Sequence, residues 1–161
     1  MPHPVVYPGD FNALLKEWEE KAKQTFKEKG RAGLQNLMIA NGECARLPQE
    51  LTAVGWSGRW QRGDRVIDVA KTLRPGTVIS NFKLIDGKWQ YPRGSHADVH
   101  GYHAALFMGG ESYSGGKAMR IRMFDQWKGK WPSPRGVSVV PEPSQKKPCD
   151  HAEEFYVVLV P

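Results

Sequence analysis

A long amphipathic run near the amino terminus, followed by a remainder rich in turn residues, most constrains the fold of this chain. Apolar residues recur at helical spacing from Phe11 to Phe26, with Asp10 as a candidate N-cap and Gly30 at the end of the run. Beyond Gly55, short apolar runs alternate with glycine and proline. The pattern predicts helices in the first third of the chain and short strands in the rest.

The remainder carries several segments with strand patterns. They are Thr77–Phe82, Lys88–Tyr91, Ala104–Met108, Met119–Met123 and Phe155–Val160. The Asp86-Gly87 pair indicates a hairpin turn, and the uniformly apolar Ala104–Met108, ending at Gly109, predicts a central strand covered on both faces. Residues 55–64 and 132–147 lack a clear period, apart from a short apolar run at 137–140, and are interpreted as loops.

Cys44 lies in a pattern typical of a helix start, Asn-Gly-Glu-Cys. With Asn41 as N-cap, we expect a second helix that runs toward Gly55 and carries Cys44 in its first turn. Free N–H groups and the positive end of the helix dipole at that position would favour a reactive thiolate. Pro48 complicates this helix, because proline lacks the N–H donor and crowds the carbonyl of Cys44, so a start at or just before Cys44, or a kink, is the alternative.

Cys44, His103 and Asp125 follow one another in the chain order of a papain-like thiol hydrolase. A thiolate attacks a carbonyl carbon, an imidazole accepts and returns the proton, and a carboxylate fixes the imidazole tautomer. Asp125 is in phase with the apolar side of its strand, where a carboxylate needs a partner, and His103 opens the neighbouring strand. We therefore expect a catalytic triad, with the backbone N–H of Cys44 as one oxyanion donor.

Four short segments resemble, in order and spacing, the motifs of NlpC-like cell-wall peptidases, and more narrowly small bacterial amidases delivered as type VI secretion effectors. They are GECARL at 42–47, PGTVISNF at 75–82, GYHAAL at 101–106 and FDQW at 124–127. The resemblance implies a papain-like α+β fold, with amino-terminal helices packed on an antiparallel sheet. It also implies hydrolysis of an amide in the stem or cross-link of peptidoglycan, with Cys44 as nucleophile, His103 as base and Asp125 as orienting acid, and with no cofactor or metal.

The length suits a single domain over residues 1–161, and lysine and arginine exceed the acids by six. Such a charge favours an anionic partner such as the cell wall, while the basic clusters are too short to indicate nucleic-acid binding. The first residues lack a Sec signal pattern, and no apolar run approaches the roughly 18 residues of a membrane span. We expect a chain made in the cytoplasm without membrane insertion, exported by a secretion apparatus into the periplasm of competing bacteria, and neutralised in its producer by an immunity protein.

Besides a deamidase or acyltransferase that uses the same three residues, two other classes of function are compatible with the residues alone. His96, His100 and His103, together with Asp98, offer zinc ligands for a metal-dependent hydrolase. Alternatively, a basic, tryptophan-rich module could bind wall glycan or nucleic acid without catalysis. Its candidate stacking residues are Trp56, Trp60, Trp89, Trp127 and Trp131, of which we expect Trp127 to lie near a cleft.

Overall fold

An antiparallel sheet with helices against it forms the centre of the computed structural model, which describes residues 1–93, 101–140 and 147–161. The helices are α1 (Phe11–Gln35), α2 (Arg46–Leu51) and α3 (Val66–Val69), with 3₁₀ turns at Ser57–Arg59, Pro148–Asp150 and Ala152–Glu154. The strands are β1 (His3–Pro4), β2 (Gln61–Arg65), β3 (Val78–Ser80), β4 (Lys83–Ile85), β5 (Lys88–Gln90), β6 (Ala104–Ser114), β7 (Lys117–Trp127), β8 (Lys130–Ser138) and β9 (Tyr156–Val160).

The main sheet has the strand order β1-β9-β3-β6-β7-β8, β2 also pairs with β9, and β4 and β5 form a separate hairpin. All of these pairs are antiparallel. The long meander β6–β7–β8 makes up one half of the sheet. Within the described ranges, no helix is both long and apolar enough to cross a membrane.

The first helix forms as the sequence predicts, and it packs on one face of the sheet. The Asp10 carboxylate accepts a hydrogen bond from the backbone N–H of Ala13 at 3.1 Å, which caps the helix. Leu14 and Trp18 are buried in the same apolar cluster as Leu106 and Phe124 of the sheet. The helix does not end at Gly30, whose φ of 66° produces a kink, but continues to Gln35.

Strand alternation divides the core into two clusters. Leu106 and Phe124 face the helices α1 and α2, whereas Phe107 and Met123 belong to the cluster around α3 on the opposite face. The predicted doubly covered strand at Ala104–Met108 is thereby confirmed for its first four residues, which are fully buried. Its predicted end is wrong, because a bulge near Gly109 lets β6 continue to Ser114.

Several other boundaries differ from those predicted. The Asp86-Gly87 hairpin is present, but β5 pairs with β4 and not with β3, the strand of the predicted Thr77–Phe82 segment, which lies between β6 and β9. Residues 55–64, expected as a loop, contain most of β2, a polar edge strand held by β9. Residues 132–147, also expected as a loop, contain most of β8. Its prolines are tolerated because β8 is the last strand in the order and therefore an edge strand. The final strand is confirmed as β9.

Truncating two apolar residues of α1 should affect stability very differently. Trp18 is 8% exposed, so Trp18→Ala should lower the free energy of unfolding by about 3–5 kcal/mol. Phe26, which the helical pattern placed among the apolar positions, is 57% exposed, so Phe26→Ala should change it by less than about 0.5 kcal/mol. Urea unfolding of both variants measures the difference, and equal losses would contradict the position of α1 on the sheet.

Candidate active site

The residue that the sequence proposed as nucleophile, Cys44, lies in a loop just before α2 and not in the first turn of a helix that starts at Asn41. The helix begins at Arg46 with Ala45 as N-cap, so this predicted boundary is wrong. The side chain of Asn41 accepts a hydrogen bond from the backbone N–H of Glu43 at 3.1 Å, which stabilises a turn. Pro48 explains the later start, because it occupies the third helical position, where no intrahelical N–H donor is needed.

Gln126 of β7 fastens this loop to the sheet. Its buried side chain accepts a hydrogen bond from the Ile39 N–H at 2.8 Å and donates to the carbonyl oxygens of Ile39 at 2.9 Å and Glu43 at 3.0 Å. Gly42, with a φ of 85°, allows the chain to turn between these contacts. The position of Cys44 is therefore tied to the strand that also carries Asp125.

His103 and Asp125 are brought together by the register of β6 and β7. With Leu106 opposite Phe124, His103 and Asp125 are diagonal neighbours on one face of the pair. Nε2 of His103 lies 2.7 Å from Oδ2 of the fully buried Asp125. The Asn81 N–H donates to the His103 carbonyl at 2.9 Å, which anchors this residue to the end of β3.

The thiol of Cys44 interacts with the His103 imidazole through hydrogen bonding and charge, while Nε2 of that ring contacts Asp125. Sγ also lies 3.4 Å from the hydroxyl of Tyr91, whose ring packs on Trp60 with centroids 4.9 Å apart. Trp127 stands beside the imidazole, at 6.0 Å between ring centroids. The structure thus brings together all three residues of the predicted triad and adds Tyr91 to them.

The ionisation of these groups favours a charged pair. Burial raises the pKa of the Cys44 thiol, but hydrogen bonds from His103 and Tyr91 outweigh burial and lower this pKa to about 7. Burial lowers the pKa of His103, yet its bonds to Asp125 and Cys44 raise it to about 9. Between these values the pair exists mainly as thiolate and imidazolium.

Two cations that the sequence analysis did not single out also contact Asp125. Nζ of Lys130 lies 2.9 Å from Oδ1, and Nε of Arg135 donates to Oδ2 at 2.6 Å. Although burial raises the pKa of Asp125, the hydrogen bond to His103 and the charges of Lys130 and Arg135 hold it well below its usual range. A strand assignment for residues 130–138 would have placed Arg135 beside β7, which is the signal that the loop interpretation missed.

Cys44 and His103 line a cleft of about 1020 Å³, with Asp125 buried behind the imidazole. Trp127 lines it, as the sequence predicted, and is 45% exposed. Its charged lining residues in the described part of the chain are Arg46, Lys128, Arg135 and Lys147, which are basic, and Glu43 and Asp150, which are acidic. The cleft therefore has an excess of positive charge.

The alternative zinc site falls mostly outside the described residues, since His96, Asp98 and His100 lie between the ranges 1–93 and 101–140. Among the described residues, no group of three or more His, Cys, Asp and Glu side chains is arranged to hold a metal ion. His103 is engaged by Asp125 and Cys44. Cys44 and Cys149 are both free thiols that line the cleft.

The family model described as domesticated amidase effector 2 matches residues 17–158, a range that contains Cys44, His103 and Asp125. The chain belongs to this family. A solved structure titled "Type 6 secretion amidase effector 2 (Tae2)" is similar to the chain, with 26% sequence identity and a TM-score of 0.57 over 83% of this chain and 93% of that one. No curated protein matches the chain. The predicted papain-like α+β fold and the resemblance to small type VI amidase effectors are confirmed.

The two thiols of the cleft should react differently with iodoacetamide. Cys44 should be alkylated with a rate that rises to half its maximum near pH 7, because only the thiolate reacts. Burial raises the pKa of Cys149, which makes this residue the slower internal reference. Mass spectrometry of the labelled peptides measures both rates. A half-maximum for Cys44 at or above about pH 8.5, the value of a free cysteine, would contradict the described pair.

Proposed function

We propose that this chain is a cysteine amidase that hydrolyses an amide bond in the peptide stem or cross-link of peptidoglycan. The observation that carries the proposal is that His103, at the wall of a cleft with more basic than acidic lining residues, interacts with both Cys44 and the buried Asp125. Membership of an amidase effector family supports hydrolysis of the cell wall as the reaction. A single amidase domain spans residues 1–161 in this proposal.

The reaction follows from the proposed roles of the three residues. The Cys44 thiolate attacks the amide carbon and forms a carbon–sulfur bond, and the carbonyl electron pair moves to oxygen. When the tetrahedral intermediate collapses, the His103 imidazolium gives its proton to the departing amine, which leaves a thioester. Neutral His103 then takes a proton from water, which attacks the thioester and releases the new carboxyl group and the thiolate.

The tetrahedral oxyanion needs hydrogen-bond donors within the cleft. The backbone N–H of Cys44 is one, as in the sequence-based hypothesis. Tyr91 supplies the second in this proposal, since its hydroxyl lies 3.4 Å from Sγ and burial, followed by the charge of Cys44, raises its pKa well above the usual value. Tyr91 therefore keeps its proton over the pH range in which the thiolate forms.

The charge of the cleft suits the proposed substrate. Stem peptides of peptidoglycan carry free carboxylates, and the lining side chains of the cleft include more bases than acids. Attraction between exposed charges is screened over about 10 Å at 0.1 M salt, so binding in the cleft should weaken as ionic strength rises. The same charge suits attachment to the anionic wall as a whole.

In the proposed biological role, the protein is a secreted antibacterial effector that acts in the periplasm of competing bacteria. The similarity to a type 6 secretion amidase effector supports this role. A toxin active on the producer's own wall requires a cognate immunity protein, which we propose as its protein partner. The proposal includes no nucleic acid partner, no membrane insertion and no cofactor.

Removing the nucleophile or the base should abolish cleavage of purified sacculi. Cys44→Ala and His103→Ala should each lower the rate at least about a thousandfold, because the two residues act as one unit. Mass spectrometry of the released fragments and labelling of new amine ends measure the cleavage. Phe26→Ala, at an exposed position on α1, is the matched control and should retain the wild-type rate. Full activity of Cys44→Ala would refute the proposal.

The same assay separates the alternatives. A zinc hydrolase would resist iodoacetamide and lose activity with a chelator, whereas the proposed cysteine amidase should do the reverse. A non-enzymatic module would bind sacculi with and without Cys44 and release no fragments from them.

The pH dependence of the activity should be bell-shaped, with half-maximal rates near pH 7 and pH 9. Below about pH 7 the rate falls because the Cys44 thiolate becomes protonated, and above about pH 9 it falls because His103 loses the proton needed by the leaving amine. The two limbs belong to the coupled pair and not to either residue alone. Measuring kcat/KM on a soluble stem peptide from pH 5.5 to 10.5 gives both limbs, and an acid limb below pH 5.5 would contradict the described environment.

A further inference from the structure

Two cations share the carboxylate of Asp125. The Lys130 ammonium lies 2.9 Å from Oδ1, and the Arg135 guanidinium donates to Oδ2, the oxygen that also contacts His103. Asp125 is fully buried, and the two cations are 16% and 17% exposed. A single cation would already balance the carboxylate, so the buried group carries an excess positive charge next to the imidazole.

Both cations are fixed by contacts besides Asp125. Nζ of Lys130 also lies within hydrogen-bond distance, 2.7–3.3 Å, of the backbone carbonyl oxygens of Asp125, Trp131 and Ser133 and of the Ser133 hydroxyl, among which its three N–H groups are shared. The Arg135 guanidinium donates to the carbonyl of Cys149, another residue that lines the cleft, at 3.1 Å. These contacts hold both charges beside Asp125, the residue that binds His103.

A fixed positive charge at this place acts on both members of the reactive pair. It stabilises the Cys44 thiolate and destabilises the His103 imidazolium, so it moves both titrations toward lower pH. Among the residues that the structure describes, the other titratable or charged groups that line the cleft with the pair are Tyr91, Tyr102, Cys149, Glu43, Arg46, Lys128, Lys147 and Asp150. Of these, Glu43, Lys128, Lys147 and Asp150 are exposed, and solvent screens exposed charges more strongly than the two at Asp125.

We propose that Lys130 and Arg135 are positioning residues for the amidase reaction: they orient both oxygens of Asp125, and their combined charge sets the pH range in which the Cys44–His103 pair is active. The inference rests on the proposed function for its effect on catalysis. The effect of the two charges on the ionisation of the Cys44 thiol can be measured without substrate. A purely structural role, in which the two cations only join β7 to β8, would lower stability without moving the pH range.

Arg135 offers a matched pair of variants. Arg135→Gln removes the charge, whereas Arg135→Lys keeps it and loses the planar geometry. In Arg135→Gln, both limbs of the pH profile should move up by about one pH unit. In Arg135→Lys, the limbs should stay within about 0.3 of a pH unit of the wild type, whatever the change in kcat. Lys130→Met, compared at a temperature where it is folded, should shift the limbs in the same direction as Arg135→Gln.

The alkylation rate of Cys44 against pH provides the readout that needs no activity. Measured in a Cys149→Ser background, its midpoint should rise by about one pH unit in Arg135→Gln and remain in place in Arg135→Lys. Unchanged midpoints in Arg135→Gln, or equal shifts in both variants, would overturn the inference. If the variants show the expected midpoints but the wild-type protein cleaves no stem peptide, the proposed function is overturned and the electrostatic role is supported.

Discussion

The buried carboxylate of Asp125 is the constraint on which the site depends. An ionised carboxylate removed from water is unfavourable by several kcal/mol unless donors surround it. Here the cations and donors come from three places in the fold, namely His103 just before β6, Lys130 at the first position of β8 and Arg135 in the middle of β8. The meander β6–β7–β8 must therefore be in register for the charge to be tolerated, and the same register places the imidazole beside the thiol.

Consecutive residues of β7 perform different tasks at the site. Asp125 faces His103, Gln126 binds the loop that leads to Cys44, and Trp127 lines the cleft beside the imidazole. One strand thus positions the base directly and the nucleophile indirectly. The short helix α2 contributes less than a long helix would, because Cys44 precedes it and Pro48 limits where it can begin.

The sequence predicts the parts of this arrangement that rest on local patterns. Helix α1, the final strand and the order of Cys44, His103 and Asp125 follow from periodicity and from residue chemistry. The start of α2 is not predictable in the same way, because the local signal at Asn41 stabilises a turn and not a helix. Strand β8 was missed because its prolines break the usual pattern, and with it the contact of Arg135 with Asp125. The Gln126 contacts join residues that are 83 and 87 positions apart in the sequence, and a local sequence pattern cannot predict contacts at that separation.

The opposite orientations of Asp125 and Gln126 also bear on how faithfully the chain folds. A slip of the β6–β7 hairpin by a single residue would turn every side chain of the strand to the other face. Asp125 would then be buried among the apolar residues under α1, and Gln126 would stand where His103 needs a carboxylate. Apolar residues alone would tolerate such a slip, since both faces of β7 are covered. Asp125 and Gln126 therefore disfavour the misregistered hairpin. A chain that reaches the stable register also has its catalytic side chains in place.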